Sequence, residues 1–322
     1  MTFGFGKTFH LIHIADDFEK AARWYADVFD GLAGWVRYPG FPYLEVEIRD
    51  ADLIIIADCC VEPMAPAKRV EGWDSVPVGR FLNKFGPRWQ TMSWYTDGLP
   101  ALYDHLKARN TRFFELGGAS GDGGLGKRHA IFTHPRDTFG GLEFVSFRSD
   151  EPPARPPTGD PRFYPGFDPQ WWYRHHPLQL ERLGHMTVVV DDLDAARDFY
   201  VNGLNATPLT ETASELTGTR SRFFAVGTDT VVEVAKPVTS DSLAAHDLAR
   251  NGPIFHAVTW TVRDLAAARA HLEAKGVGIL GMDDRLLVTD PRTSFGALHC
   301  FTTWKPPGDP RDLGANGRPV TV

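Results

Sequence analysis

"LGHMTVVVDDLDAARDFY", residues 183–200, repeats a stretch near the N-terminus, "FHLIHIADDFEKAARWY", residues 9–25. His10 falls on His185, Asp16-Asp17 on Asp191-Asp192 and Tyr25 on Tyr200, at one offset of 175 without a gap. His185, Thr187 and Val189 alternate with Met186, Val188 and Val190, which is the period of a strand. The aspartate pair then precedes Leu193, Ala196, Phe199 and Tyr200 at helical spacing. Carboxylates in that place read as helix caps, not as catalytic groups, and Asp16-Asp17 read the same way.

The rest of the chain repeats too. "RWQTMSWYTDGLPALYDHLKARN" (88–110) lies over "IFHAVTWTVRDLAAARAHLEAKG" (254–276) at an offset of 166. "HPRDTFGGLEFVSF" (134–147) matches "DPRTSFGALHCFTTW" (290–304) at 156, and "IRDADLIIIA" (48–57) matches "VGTDTVVEVA" (226–235) at 178. Each unit reads as a strand, a capped helix and three short strands, so the pattern is βαβββ four times over. Residues 1–150 hold two units and residues 181–322 the other two. Residues 151–180 form a Pro- and aromatic-rich linker between them. Within it, the prolines and glycines of "DEPPARPPTGDPRFYPGFDP" (150–169) argue against regular structure. Trp171 and Trp172 are expected to pin the linker to a domain face.

Composition narrows the function classes. A chain of 322 residues with 43% hydrophobic and 23% charged residues suits two globular domains. The net charge of −7 and the lack of a basic run argue against nucleic acid as a partner. The longest aliphatic run is "LIIIA" (53–57), too short to span a membrane. The N-terminus lacks the order of a signal peptide. Three cysteines, Cys59 and Cys60 adjacent, make no disulfide framework, so a reducing cytoplasm is expected. The expected state is monomer or homodimer with a small-molecule substrate.

Four tandem βαβββ units, with a histidine on the first strand and an acid on the last, resemble the vicinal oxygen chelate superfamily. It includes glyoxalase I, methylmalonyl-CoA epimerase, extradiol dioxygenases and bleomycin-resistance proteins. The resemblance covers nearly the whole chain outside the linker. "GLGKRHAIFTHPRDTFGGLEF" (124–144) most resembles the last strands of the epimerases. It implies an α+β fold in which paired units curl into two open eight-stranded barrels with helices outside.

In that family the ligands of a divalent ion come from the first and fourth strands of each unit. Carried over by internal alignment, the second half offers His185, Glu233, His256 and His299. Three imidazoles and a carboxylate suit zinc first, with iron, nickel, manganese or cobalt also served. The spacing from Gly296 favours Cys300 as the fourth ligand. His299 is preferred because its partner Glu143 would otherwise face the helices unpaired. In the first half the aligned residues are His10, Ile55, Gln90 and Glu143. Ile55 cannot bind a metal, so that barrel is expected to be a degenerate site and the chain to hold one ion. His13 reads as a buried structural histidine, and His246 and His271 as surface residues on helices.

The resemblance supports three activities. A metal-dependent epimerase or isomerase would act on a small polar hydroxy-ketone or keto-cyclitol through an enolate, with Glu233 or His299 as base. An extradiol dioxygenase would carry its glutamate on the last strand, where this chain has His299. It would also carry a histidine and a tyrosine on the strand before, where "DDRLLVTDPRT" (283–293) has neither. A non-enzymatic binding protein of the resistance type would have lost its ligands, which the second half has not. The epimerase reading is therefore preferred.

Overall fold

The computed structural model describes residues 2–34, 42–114, 130–146 and 159–312. Residues 124–129 of the epimerase-like stretch and 150–158 of the linker lie outside them.

The first half contains strands β1 (Gly4–Ile14), β2 (Tyr43–Leu44), β3 (Arg49–Ala51), β4 (Ile54–Ile56), β5 (Cys59–Pro66), β6 (Arg88–Asp97), β7 (Phe113–Phe114), β8 (Ala130–Thr133) and β9 (Gly141–Ser146). The second contains β10 (Leu180–Val189), β11 (Thr207–Ser214), β12 (Thr219–Val226), β13 (Thr230–Pro237), β14 (Ile254–Val262), β15 (Ile279–Met282), β16 (Leu286–Thr289) and β17 (Leu298–Thr302). Their sheet orders are β2-β3-β5-β1-β6-β9-β8-β7, with β4 beside β5, and β11-β12-β13-β10-β14-β17-β16-β15. In both, the first strands of the two units run antiparallel at the centre, and each is parallel to the last strand of its own unit. The chain is thus α+β, with two curled open barrels and helices outside.

The second aspartate of each pair acts as a cap. Asp17 accepts from the backbone of Lys20 ahead of the helix Phe18–Phe29, and Asp192 from Asp194 and Ala195 ahead of the helix Leu193–Asp198. Tyr25, Phe29, Trp89, Trp260 and Phe301 are fully buried in one core shared by both halves. Burial of rings this large, each removing roughly 150–250 Å² from water, is the main force joining the halves.

The prolines of the connecting segment do not prevent regular structure. Pro161–Phe163 is a 3₁₀ turn and Trp171–His175 a short helix. Proline at a first helical position gives up no needed N–H. Trp172 is buried and donates to the carbonyl of Phe29 at 2.7 Å, while Trp171 stays 40% exposed, so one tryptophan of the two pins the segment.

The tetrapeptide Gly-Asp-Pro-Arg occurs at 159–162 and again at 308–311. Arg162 donates to the carbonyls of Thr8 (2.8 Å) and Phe9 (2.7 Å), and Asp160 holds its guanidinium. Arg311 donates to the carbonyls of Leu183 and Gly184, both at 2.6 Å, and is held by Asp309. These carbonyls directly precede His10 and His185. The central ladders shift register there, between Thr8 and Leu11 and between Leu183 and His185. Such irregularities free backbone oxygens and re-aim the next side chain. Each latch satisfies the freed oxygens with one planar guanidinium. Gly184 has no room for a side chain at this point: a Cβ would lie 2.9 Å from the carbonyl oxygen of Thr259.

Candidate active site

The second barrel opens on a cavity of about 740 Å³. His185 and Thr187 enter it from β10, Glu233 from β13, His256 and Thr259 from β14, and Cys300 and Thr302 from β17. Phe223 and Trp304 pack edge to face in its wall, and Phe223 makes the same contact with His185. Sheet alternation selects His185 and Thr187 on β10 and Cys300 and Thr302 on β17, whereas His256 enters at a register shift of β14 against β10, between Phe255 and Ala257, where the alternation is broken.

His185 and Glu233 are brought together. Their Nε2 and Oε2 atoms lie 3.4 Å apart, and the Thr187 hydroxyl donates to the same carboxylate oxygen at 2.5 Å. Burial raises the affinity of Glu233 for a proton, but hydrogen bonds from His185, Ser221 and Thr187 overcome this and hold its pKa below the usual glutamate value. Glu233 is therefore an ionised carboxylate facing the cavity.

His256 is oriented from behind. Its Nδ1 lies 2.6 Å from Asp247 Oδ2, and Asp247 is also clasped by Arg88 of the first half at 2.7 and 2.6 Å. Burial works against the charge on Asp247, yet the hydrogen bonds of His256 and Arg88 keep it well below the ordinary aspartate range. The carboxylate accepts a hydrogen bond from Nδ1–H, which turns Nε2 toward the cavity as the nitrogen free to bind a ligand.

His299 is not in this cavity. Cys300 pairs with Thr259 in the β14–β17 ladder, and Glu143 with Ser93 in the matching β6–β9 ladder, so Cys300 and Glu143 are the equivalent residues. The alignment that paired Glu143 with His299 is one residue out, and a shift of one turns a side chain to the opposite face. His299 sits instead among Trp24, Tyr25, Phe29 and Trp89 and accepts from Trp260 Nε1 at 3.0 Å. Burial, aided by nearby His13, holds its pKa well below the usual value, so it is a neutral core histidine. Burial, with Glu233 adding, pushes the Cys300 thiol up to about 12, so it stays protonated.

The first barrel also differs from expectation. Ile12 pairs with Glu62 where Thr187 pairs with Glu233, so Glu62, and not Ile55, is the counterpart of Glu233. Ile55 lies on β4, fully buried in the core. The signal was present as "VEP" at 61–63 against "VEV" at 232–234. Gln90 does match His256, by the common register of β6 and β14. The first barrel therefore keeps its carboxylates: His10 Nε2 lies 2.7 Å from Glu143, and Nδ1 lies 3.3 Å from Glu62.

His13 is the buried structural histidine expected, bonded to Tyr25 (3.0 Å) and to the carbonyl of Phe295 (2.9 Å). His246 is exposed on the helix Leu243–Asn251. His271 is not a free surface residue: it is partly buried and its Nε2 donates to the carbonyl of Val28 at 2.9 Å.

The donor chemistry of the second barrel fits a divalent metal. A carboxylate and an imidazole are already paired there, His185 Nδ1 is buried without a hydrogen-bond partner, and His256 presents a free Nε2. Among the described residues no three histidine, cysteine, aspartate or glutamate side chains are yet disposed to hold an ion. The first barrel fits poorly, since a cationic guanidinium, that of Arg49, already engages Glu62 beside His10.

Residues 184–286 match the model of the Glyoxalase/Bleomycin resistance protein/Dioxygenase superfamily, so the chain carries a domain of that superfamily. No curated protein matches the chain. Among solved structures it is similar to a mutant 4-hydroxymandelate synthase from Streptomyces coelicolor. That match has 13% identity over 92% of this chain and 91% of the other, with a TM-score of 0.64. The similarity extends the two-barrel fold to nearly the full length. Methylmalonyl-CoA epimerase from Mycobacterium tuberculosis is 24% identical over 38% of this chain and 87% of its own, with a TM-score of 0.36. No helix among the described residues is long and apolar enough to cross a membrane.

Proposed function

We propose that the second barrel is the catalytic one and that the protein is a metal-dependent epimerase or isomerase of a small polar hydroxy-ketone, of which a keto-cyclitol is an example. The observation that carries this reading is an ionised Glu233 beside His185 in a walled cavity sized for a small molecule. A divalent ion, zinc by preference, would be held by His185, Glu233 and His256 and would polarise a substrate carbonyl. Glu233 would accept the proton from the carbon next to that carbonyl, and inversion would be completed by a proton delivered from the opposite face of the planar enolate. Thr187 keeps the carboxylate aimed, and Phe223 and Trp304 supply an aromatic wall to the same cavity. Residues 1–150 and 181–322 are taken as two domains, the first shaping the second through Arg88. The site lies within one polypeptide, so monomer and homodimer are both compatible with it. Three free buried cysteines support a reducing, cytoplasmic setting.

The test is exchange of the substrate's α-proton in deuterated water, under nitrogen, with zinc at saturation. Wild type should exchange and Glu233→Gln should lose at least about a hundredfold, the scale of a general base. Exchange by Glu233→Gln at the wild-type rate would remove Glu233 from the role.

A ring-cleaving dioxygenase is the second reading. With His299 in the core, the remaining donors are two histidines and one carboxylate, a set that also suits non-haem iron. Oxygen uptake with a catechol and ferrous ion, without anaerobic exchange, would favour it. Neither signal, with a small molecule bound tightly, would favour a binding protein.

A further inference from the structure

The two barrels differ at one position that decides what each interior can hold. Arg49 pairs with Pro66 in the β3–β5 ladder, and Thr219 pairs with Pro237 in the β12–β13 ladder. Pro66 and Pro237 each stand four residues beyond the equivalent carboxylates Glu62 and Glu233. Arg49 and Thr219 are therefore counterparts. Thr219 lines the open cavity of the second barrel. Arg49 reaches into the first barrel, where its Nη1 donates to Glu62 at 3.0 Å and its Nε to Glu47.

The surroundings of Arg49 are anionic. Glu47, Glu62 and Glu143 cluster around Arg49 and His10, with every side chain at most 17% exposed. Three carboxylates at such depth need a cation, because buried charge without a partner is strongly unfavourable. The guanidinium supplies it through two of its five donors. Three carboxylates and an imidazole are otherwise the donors a divalent ion takes.

We propose that the first barrel is a divalent-cation position held shut by the protein's own Arg49, and that removing this one charge opens it. In the wild type the arginine occupies the carboxylates and no second ion enters. Arg49→Thr writes in the residue of the second barrel, releases Glu62 and leaves a net negative, buried donor set. The inference does not depend on the reaction of the second barrel.

The experiment uses the full chain with His185→Ala and Glu233→Ala, so that the second barrel contributes no ion. This parent and its Arg49→Thr, Arg49→Gln and Arg49→Lys derivatives are dialysed against zinc and analysed for bound metal. The expected result is no zinc in the parent or the lysine variant and one ion per chain in the threonine and glutamine variants, lost again on His10→Ala. Zinc retained by the parent and removed by His10→Ala overturns the proposal. Folded threonine and glutamine variants that bind none also overturn it. If those variants are unfolded without metal, refolding in zinc distinguishes the cases: recovery supports the proposal, and no recovery overturns it.

Discussion

Asp247 Oδ2 lies 2.6 Å from Nδ1 of His256, and the same carboxylate receives the guanidinium of Arg88 from the other half of the chain. This contact sets the tautomer of the one cavity histidine with a backing carboxylate. Asp247→Asn keeps the shape and removes the charge. It should weaken zinc binding by about 10–100-fold, the usual effect of losing such a backing group. Competition with a chromogenic chelator measures this, and unchanged affinity would show that His256 is not a ligand.

His299 and Cys300 separate two roles that neighbour each other in sequence. His299→Asn should leave zinc retention unchanged and cost about 1–3 kcal/mol, because it disturbs the acceptor for buried Trp260. Urea unfolding and metal analysis of one preparation report both. Loss of zinc at unchanged stability would restore His299 to the ligand set.

The Arg311 latch should matter to folding as a whole. Arg311→Ala removes the donor from the carbonyls of Leu183 and Gly184 and leaves Asp309 with Arg182 as a cation, and should cost about 1–3 kcal/mol. Arg311→Lys should recover only part, since one ammonium cannot match a planar fork. Denaturant midpoints of the three proteins check the order, and a lysine variant equal to wild type contradicts it.

His13 gives the fold an acid-sensitive point. Burial lowers its pKa to about 4 from an ordinary value of 6.5, the carbonyl of Phe295 opposing. A depressed folded value means that the stability is complete above 6.5 and is lost as pH falls through that value toward 4. The span corresponds to about 3 kcal/mol at 1.36 kcal/mol per unit. Unfolding free energy measured from pH 7 to 4.5 should fall, and fall less steeply in His13→Gln. Equal slopes would assign the effect to other groups, of which His176, lowered to about 4 by burial and His271, is the first candidate.

The repeats were legible because local patterns carried them. Alternation around His185, the caps Asp17 and Asp192 and the helical spacing up to Tyr200 are properties of neighbouring residues, and from them the four units followed, the two barrels being what the family resemblance implied. His185, Glu233 and His256 were carried over from that resemblance by the internal alignment, and they do line one cavity. What the chain alone left undecided was register. Whether His299 or Cys300 faces inward turns on one residue, and whether Ile55 or Glu62 answers Glu233 turns on which run joins β1. Both are settled by pairing between distant strands, which no local period encodes. The Gly-Asp-Pro-Arg latches and Arg49 belong to the same class. Their residues can be read in sequence, but their meaning lies in carbonyls and carboxylates that only the closed barrels bring within reach.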